Sequence, residues 1–317
     1  MRRTVIVCVG LGLLAAGSSL ANVVWNPAGN GIYPPDVGNW NVASNWTSAT
    51  LPSDDGGKAV FNVDDAAECQ VTDFQDNFQL VQGDNGPGGV IRIMNGGEIT
   101  TVPNWGAVAY NGPSTLMIVE EGGVMNFGGH AWIGFNPGGV GTVDINGGTV
   151  NVAQQLGLGW NGGEGYVNIR DGGVLNLAQL HGGGNSIKGN SLLNITGTGK
   201  IVWPGDHTTL IADVYVAEEK IVANGVPEDV IITYDTNTLE TIVTAAVVLP
   251  DPPLDMTQFT QEDGTLTFEW SDIPGKQFDL VSSEDLANSV DTWAPYNDGV
   301  TTYENIPNSG TGSNTLT

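Results

Sequence analysis

Short runs of alternating apolar and polar residues recur along the middle of the chain, and each run ends at glycine. The apolar pairs of these runs are Ile91/Ile93, Met117/Val119, Val143/Ile145, Val167/Ile169 and Leu193/Ile195. Alternation with a period of two is typical of a strand with one buried face, and the runs lack the 3.6-residue period of an amphipathic helix. The pattern therefore predicts many short β-strands around one core.

The glycines that end these runs are almost evenly spaced. They are Gly96-Gly97, Gly122-Gly123, Gly147-Gly148 and Gly172-Gly173, followed by Gly197, which gives steps of 26, 25, 25 and 25 residues. A period near 25 with three short strands per unit is typical of a β-solenoid, because one unit cannot bury its apolar face alone and must stack on the next. We predict an all-β fold with a right-handed parallel β-helix of about five to six coils over residues 58–205.

The sequence outside the repeat predicts an exported protein with further parts. Residues 1–21 combine two arginines, an apolar run and a small-x-small cleavage motif, as signal peptides do. Residues 22–57, rich in Trp, Pro and Asn, are predicted to cap one end of the solenoid, and residues 206–248, with a short helix and strands, the other end. A proline-rich linker, residues 249–255, leads to residues 256–317, which are predicted to form a small, incomplete β-sandwich.

Charge and cysteine content narrow the classes of partner. The chain has 9 Lys and Arg against 35 Asp and Glu, which gives a formal net charge of -26 at pH 7. Such an acidic protein repels nucleic acid and anionic lipid, and no run after the first residues is long enough for a membrane helix. We expect an extracellular or cell-surface location, no cofactor and only loosely bound calcium. After signal cleavage the only cysteine is Cys69, whose strand parity predicts a buried, inert thiol.

Two stretches resemble secreted bacterial proteins. The glycine-pair units are similar to right-handed parallel β-helix repeats, including autotransporter passenger domains and the repeat regions of proteins with PEP-type sorting signals. SNWTSATLPSDDGGKAVF, residues 44–61, looks like the usual N-terminal segment of such repeats. LTFEWSDIPGKQFDLVSSEDL, residues 266–286, resembles a fibronectin-III-like module common at the ends of such surface proteins. The resemblance implies export and architecture but no substrate.

The repeat does not assemble an obvious catalytic centre. Three pairs of adjacent acidic residues occur in the chain, namely Asp54-Asp55, Asp64-Asp65 and Glu120-Glu121. None has a partner that the repeat would place opposite it, as glycoside hydrolysis requires. On the first strand face, Arg92 and Asp144 belong to one outward column with Ile118 between them, so the nearest opposite charges are about 10 Å apart. The three histidines lack the spacing of a metal site.

The third strand face predicts an aromatic binding surface. Its inward column is Val108, Ile133 and Leu158, and two residues further along each coil is a second column, Tyr110, Phe135 and Trp160. The two columns share strand parity, so the aromatic column is predicted to lie in the core. The opposite parity directs four residues outward: Trp105, His130, Trp132 and Gln155. Two outward indoles on adjacent coils could form a platform for a sugar ring, with polar neighbours for its hydroxyls. Alternatively, the N-terminal segment or a partner chain covers these rings.

A second outward column is uncharged and regular. It consists of Asn126, Asn151 and Asn176, preceded by Thr100, and could dock a glycan or another copy of the chain, although solvated sheet surface is the default.

These patterns predict a non-enzymatic secreted or cell-surface scaffold or adhesion protein. Its partner would be an extracellular polysaccharide or a cell-surface glycan, bound through Trp105, His130, Trp132 and Gln155. The alternatives are a β-helix polysaccharide lyase or glycosidase and a purely structural spacer or self-associating filament subunit.

Overall fold

The computed structural model describes residues 22–25, 37–46, 51–52, 57–84, 86–180 and 186–246, together with strands within residues 256–316. The chain divides into two compact units, Met1–Val247 and Val248–Thr317. The predicted signal peptide, residues 1–21, and the predicted linker, residues 249–255, lie outside the described residues. In the described part of the chain, no helix has both the length and the apolar composition needed to cross a membrane.

The first unit is a parallel β-solenoid of about six coils. In chain order its strands are β1 (Asn22–Trp25), β2 (Val37–Asn39), β3 (Lys58–Phe61), β4 (Val63–Val71), β5 (Phe74–Asn77), β6 (Gln79–Gln82), β7 (Gly88–Ile93), β8 (Glu98–Thr101), β9 (Gly106–Val108), β10 (Thr115–Glu120), β11 (Val124–Phe127), β12 (Ala131–Ile133), β13 (Val140–Asn146), β14 (Thr149–Leu158), β15 (Glu164–Arg170), β16 (Val174–Leu180), β17 (Leu192–Ile195), β18 (Lys200–Pro204), β19 (Ile221–Ala223), β20 (Val230–Asp235) and β21 (Glu240–Ala245).

These strands stack into three faces. The first face has the order β2-β4-β7-β10-β13-β15-β17-β19 and is parallel throughout. The second face runs from β5 through β8 and β11 to β14, β16 and β18, and the antiparallel strands β21 and β20 complete it. The third face runs β1-β3-β6-β9-β12 and continues into the second halves of β14 and β16. Each of those two long strands therefore serves two faces.

Equivalent residues of successive coils lie in columns, as the repeat predicts. On the first face one inward column is Cys69, Ile91, Met117, Val143, Val167, Leu193 and Ile221, and all of these side chains are buried. The prediction that Cys69 is buried is confirmed. Burial, together with the neighbouring Glu68 charge, raises the pKa of its thiol well above the ordinary value, so the thiol stays protonated and unreactive.

The two glycines of each corner pair have different roles. The first has a positive φ, for example +86° at Gly172, which side-chain-bearing residues rarely adopt. The second lies against the coil below, and a Cβ on Gly173 would be 2.3 Å from the Ile145 carbonyl oxygen. Turn geometry therefore requires the first glycine, and the close approach of stacked coils requires the second.

Aromatic residues continue the core at the N-terminal end of the solenoid. Trp25, Trp40 and Trp46 are at most 2% exposed and pack around Phe61 of β3, with ring centroids 5.4 to 5.8 Å from the phenyl ring. The Trp46 indole N–H donates to the Trp40 carbonyl at 2.9 Å. A 3-10 turn, Ala43–Asn45, connects the second and third of these tryptophans.

A helical segment and a hairpin, formed by β20 and β21, follow the last coil. Helix α1 (Thr208–Leu210) passes into a π-helical segment, Ile211–Val216, whose Tyr215 hydroxyl donates to the buried Ser186 at 3.1 Å. The 3-10 turns Trp160–Gly162 and Pro227–Asp229 lie elsewhere in this unit.

The described parts of the second unit are antiparallel strands. They are β22 (Met256–Glu262), β23 (Thr265–Ser271), β24 (Gln277–Phe278), β25 (Val281–Ser282), β26 (Ala294–Pro295), β27 (Ile306–Pro307) and β28 (Ser313–Leu316). The strand β23 pairs with β22 and β28, and two further pairs are β24 with β27 and β25 with β26.

Candidate functional site

Strand pairing on the third face determines which outward residues are neighbours. Ala131 of β12 pairs with Gly106 of β9 and with Leu156 of β14. The residues just before these three therefore share a column: Trp105, His130 and Gln155. Trp132 lies in the next outward column, where its partners in the neighbouring coils are Ala107 and Gly157. These small partners leave room for the indole, and all four predicted site residues are partly exposed.

The prediction that Tyr110, Phe135 and Trp160 belong to the core is wrong, because these rings are partly exposed. The reason is a left-handed residue directly before each ring. Its φ is 60° at Ala109, 65° at Gly134 and 66° at Gly159. A left-handed residue interrupts the alternation of a strand, so the side chain that follows turns outward. The aromatic column therefore joins the predicted surface residues on the outside of the solenoid.

Six rings together form a continuous group, which we call the aromatic surface: Trp105, Tyr110, His130, Trp132, Phe135 and Trp160. Tyr110 stacks on Phe135 of the next coil with centroids 5.2 Å apart and planes 7° from parallel. Trp105 stacks on Tyr110 at 5.2 Å, and Trp132 contacts Phe135 at 5.2 Å. Trp132 also lies 5.8 Å from His130 and from Trp160. The surface thus spans three successive coils.

A row of amides borders the aromatic surface. The Asn161 side chain donates to Asn136 at 2.7 Å, and Asn136 donates to Asn111 at 2.7 Å. Each of these residues directly follows a ring of the aromatic column. The links leave amide groups that can still bond a ligand, because an amide has two N–H donors and its oxygen has two lone pairs. Flat rings beside regular amides suit a ligand with both apolar and hydroxyl faces.

Two charged groups near the aromatic surface have partners in the described part of the chain. The Lys188 ammonium lies 4.2 Å from the centroid of Trp160, at the distance of a cation–π contact. Asp84 lies one coil before Tyr110 and is paired with Lys58 at 3.2 Å.

The first face carries an ion-pair network that sequence reasoning missed. The Arg92 guanidinium bonds both oxygens of Glu68, at 3.1 and 3.2 Å, and also contacts Glu120 of the next coil. Burial alone would raise the pKa of Glu68, but hydrogen bonds from Arg92 and Gln70 and the Arg92 charge outweigh burial and hold that pKa below its usual range. The column of Arg92, Ile118 and Asp144 is as predicted, but the long arginine reaches diagonally to Glu120.

The acidic and basic groups of this network bond one another. Among the described residues, no group of three or more His, Cys, Asp or Glu is arranged to hold a metal ion. The acidic pair Asp54-Asp55 and His181 lie outside the described residues.

Comparisons of the chain with models of protein families, with curated proteins and with solved structures find no match. Of the family resemblance described above, the structure supports the solenoid architecture.

Proposed function

We propose that this protein is a non-enzymatic, exported scaffold or adhesion protein that binds neutral carbohydrate through its aromatic surface. One observation carries the proposal: six rings from three successive coils touch one another on the outside of the solenoid. Sugar rings present flat faces of C–H groups that pack on aromatic rings, while the adjacent amides suit their hydroxyls.

Charge favours a neutral ligand over an acidic one. The net charge of -26 repels polyanions at long range, and the aromatic surface has no cluster of basic groups among its described neighbours. The arrangement of the rings also favours a polymer, because the surface follows the coil axis over several coils. The predicted partners are therefore extracellular polysaccharides or neutral cell-surface glycans.

The remaining parts of the proposal rest on the sequence. We propose a right-handed coil, export through residues 1–21, and a sandwich of the fibronectin-III-like kind in residues 256–317. We propose a location outside the cell because the glycine-pair pattern of the sequence resembles autotransporter passenger and PEP-type sorting proteins. Trp105, His130, Trp132 and Gln155 would contact the ligand together with Tyr110, Phe135 and Trp160.

A glycan array with the purified protein and a Trp105→Ala/Trp132→Ala variant tests the proposal. Removal of both rings should weaken binding at least about tenfold, because each ring–sugar contact contributes on the order of 1 kcal/mol and 1.4 kcal/mol is tenfold. Tyr166→Ala is the matched control, since Tyr166 is a partly exposed aromatic residue of the first face. Unchanged binding by a folded double variant, or no glycan bound by the wild type, would contradict the proposal.

A further inference from the structure

A groove of about 430 Å³ lies at the corner between the second and third faces. An amide column, Asn126, Asn151 and Asn176, lines one side of it, and a column of small residues, Gly128, Ala153 and Ala178, lies beside the amides. The groove extends from Thr100 to Pro204 and therefore follows the coil axis over several coils. It is distinct from the aromatic surface, and we call it the asparagine groove.

The amides of the groove form a hydrogen-bonded ladder. Asn176 donates to Asn151 at 2.7 Å, and Asn151 donates to Asn126 at 2.6 Å. The ladder ends where Asn126 donates to Thr100 and to the Glu98 carboxylate, both at 2.8 Å. Each link uses one N–H and one lone pair, so Asn151 keeps a second N–H and a second lone pair. The three amides line the groove and are partly exposed, and the ladder holds each of them in place.

The spacing of the ladder selects among extended ligands. Parallel strands of stacked coils are about 4.8 Å apart, so the same donor and acceptor pair recurs at that interval along the axis. One pyranose residue of an extended polysaccharide has about this length, whereas same-side residues of an extended peptide recur at about 6.8 Å. In an extended β-1,4-linked chain alternate sugars face the same way, so alternate sugars can meet every second amide of the ladder. Same-side residues of an extended peptide match neither one coil spacing nor two.

The walls of the groove select a neutral ligand. Gly128, Ala153 and Ala178 carry no side chain beyond Cβ, so they leave a flat apolar strip for the C–H face of a sugar ring. Among the described residues that line the groove, only Glu240 is charged. A groove whose described lining has one carboxylate and no basic residue, on a strongly acidic protein, does not attract an anionic polymer.

We propose that the asparagine groove is a second binding site, independent of the aromatic surface, for a linear neutral polysaccharide. The polysaccharide lies parallel to the coil axis, with its hydroxyls on the amide ladder and its ring faces on the small-residue column.

Filling the groove tests the proposal. Ala153→Ile/Ala178→Ile places branched side chains in it, and both positions are exposed in strands, where β-branched residues are favoured. Thr142→Ile, at an outward position of β13, is the control. Affinity electrophoresis of the full chain through gels with hydroxyethylcellulose, glucomannan or neutral arabinoxylan measures binding, and far-UV circular dichroism verifies folding.

We expect the Ile pair to weaken binding to at least one of these polymers by about tenfold or more, both in the wild type and in the Trp105→Ala/Trp132→Ala background. The groove proposal is overturned if the Ile pair has no effect, or if no polymer retards the wild type. If the Trp variant loses all binding and the Ile pair has no effect, the groove proposal is overturned and the proposal for the aromatic surface is supported. If only the Ile pair reduces binding, the groove proposal is supported and the proposal for the aromatic surface is contradicted.

Discussion

The glycine pair at residues 172 and 173 gives a sharp test of how the coils stack. Gly172 has φ +86°, and a Cβ there would meet no atom closer than 3.9 Å. At Gly173 the φ is not in the left-handed region, but a Cβ would lie 2.3 Å from the Ile145 oxygen and 2.9 Å from the Arg170 oxygen. Alanine at residue 172 is therefore unfavourable because of the backbone conformation, and alanine at residue 173 is unfavourable because its Cβ would clash with the neighbouring coil.

The structure gives different magnitudes for the two substitutions. Gly172→Ala should cost about 1–2 kcal/mol, the usual cost of a left-handed conformation for alanine. Gly173→Ala requires a shift of roughly 1 Å between two coils to restore an ordinary contact, which amounts to overpacking at about 1–3 kcal/mol. That shift also disturbs hydrogen bonds worth about 1 kcal/mol each, such as Val174 N–H to the Gly148 carbonyl at 2.9 Å. With this one hydrogen bond lost, the expected total is about 2–4 kcal/mol.

Urea unfolding, followed by far-UV circular dichroism, measures both free energies of unfolding. Asparagine variants separate the two causes, because asparagine tolerates the left-handed region but still carries a Cβ. Gly172→Asn should be more stable than Gly172→Ala, and Gly173→Asn should be no more stable than Gly173→Ala. The reasoning is refuted if Gly173→Ala costs no more than Gly172→Ala, or if asparagine restores stability at residue 173.

Two further predictions concern polar contacts between coils. Asn151→Val removes two hydrogen bonds of the ladder and should lower the free energy of unfolding by about 1–2 kcal/mol, measured by thermal unfolding. The control is Val202→Asn, two coils further along the same column, which should cause no such loss. Equal effects of the two substitutions would contradict a stabilising role of the ladder. For Glu68, whose pKa is lowered in the fold, the stabilisation by Arg92 is present above the unfolded-state pKa, about 4.3, and is lost as pH falls through the folded-state pKa. Glu68→Gln should therefore reduce the loss of stability on acidification from pH 6 to pH 3, and an unchanged pH dependence would contradict this.

The sequence predicts the solenoid well because stacking converts a linear period into columns. The glycine pairs, the apolar pairs and the asparagines at 25-residue spacing all mark positions that pair between coils. The predicted columns of Ile91 and of Asn126 correspond to observed strand registers. Period-two alternation also gave the correct direction for most strand residues, since backbone pleating determines it.

The sequence prediction failed where the backbone leaves the strand conformation. Gly134 and Gly159 could have indicated a left-handed residue before the aromatic column. The equivalent residue of the earlier coil is Ala109, and alanine does not indicate a left-handed conformation. The Glu120–Arg92 contact was missed for a different reason. Column reasoning compares residues at equal register, whereas a long side chain also reaches diagonal neighbours.

The most direct test of carbohydrate binding at the aromatic surface is an NMR titration that observes the indole N–H groups of the nine tryptophans. The titrant is the oligosaccharide with the strongest signal on the glycan array, and single variants assign the resonances. We predict that the signals of the partly exposed Trp105, Trp132 and Trp160 shift together with one dissociation constant. The signals of the core tryptophans Trp25 and Trp203, at most 3% exposed, should stay in place. Binding that leaves the three surface indoles unshifted would contradict the account.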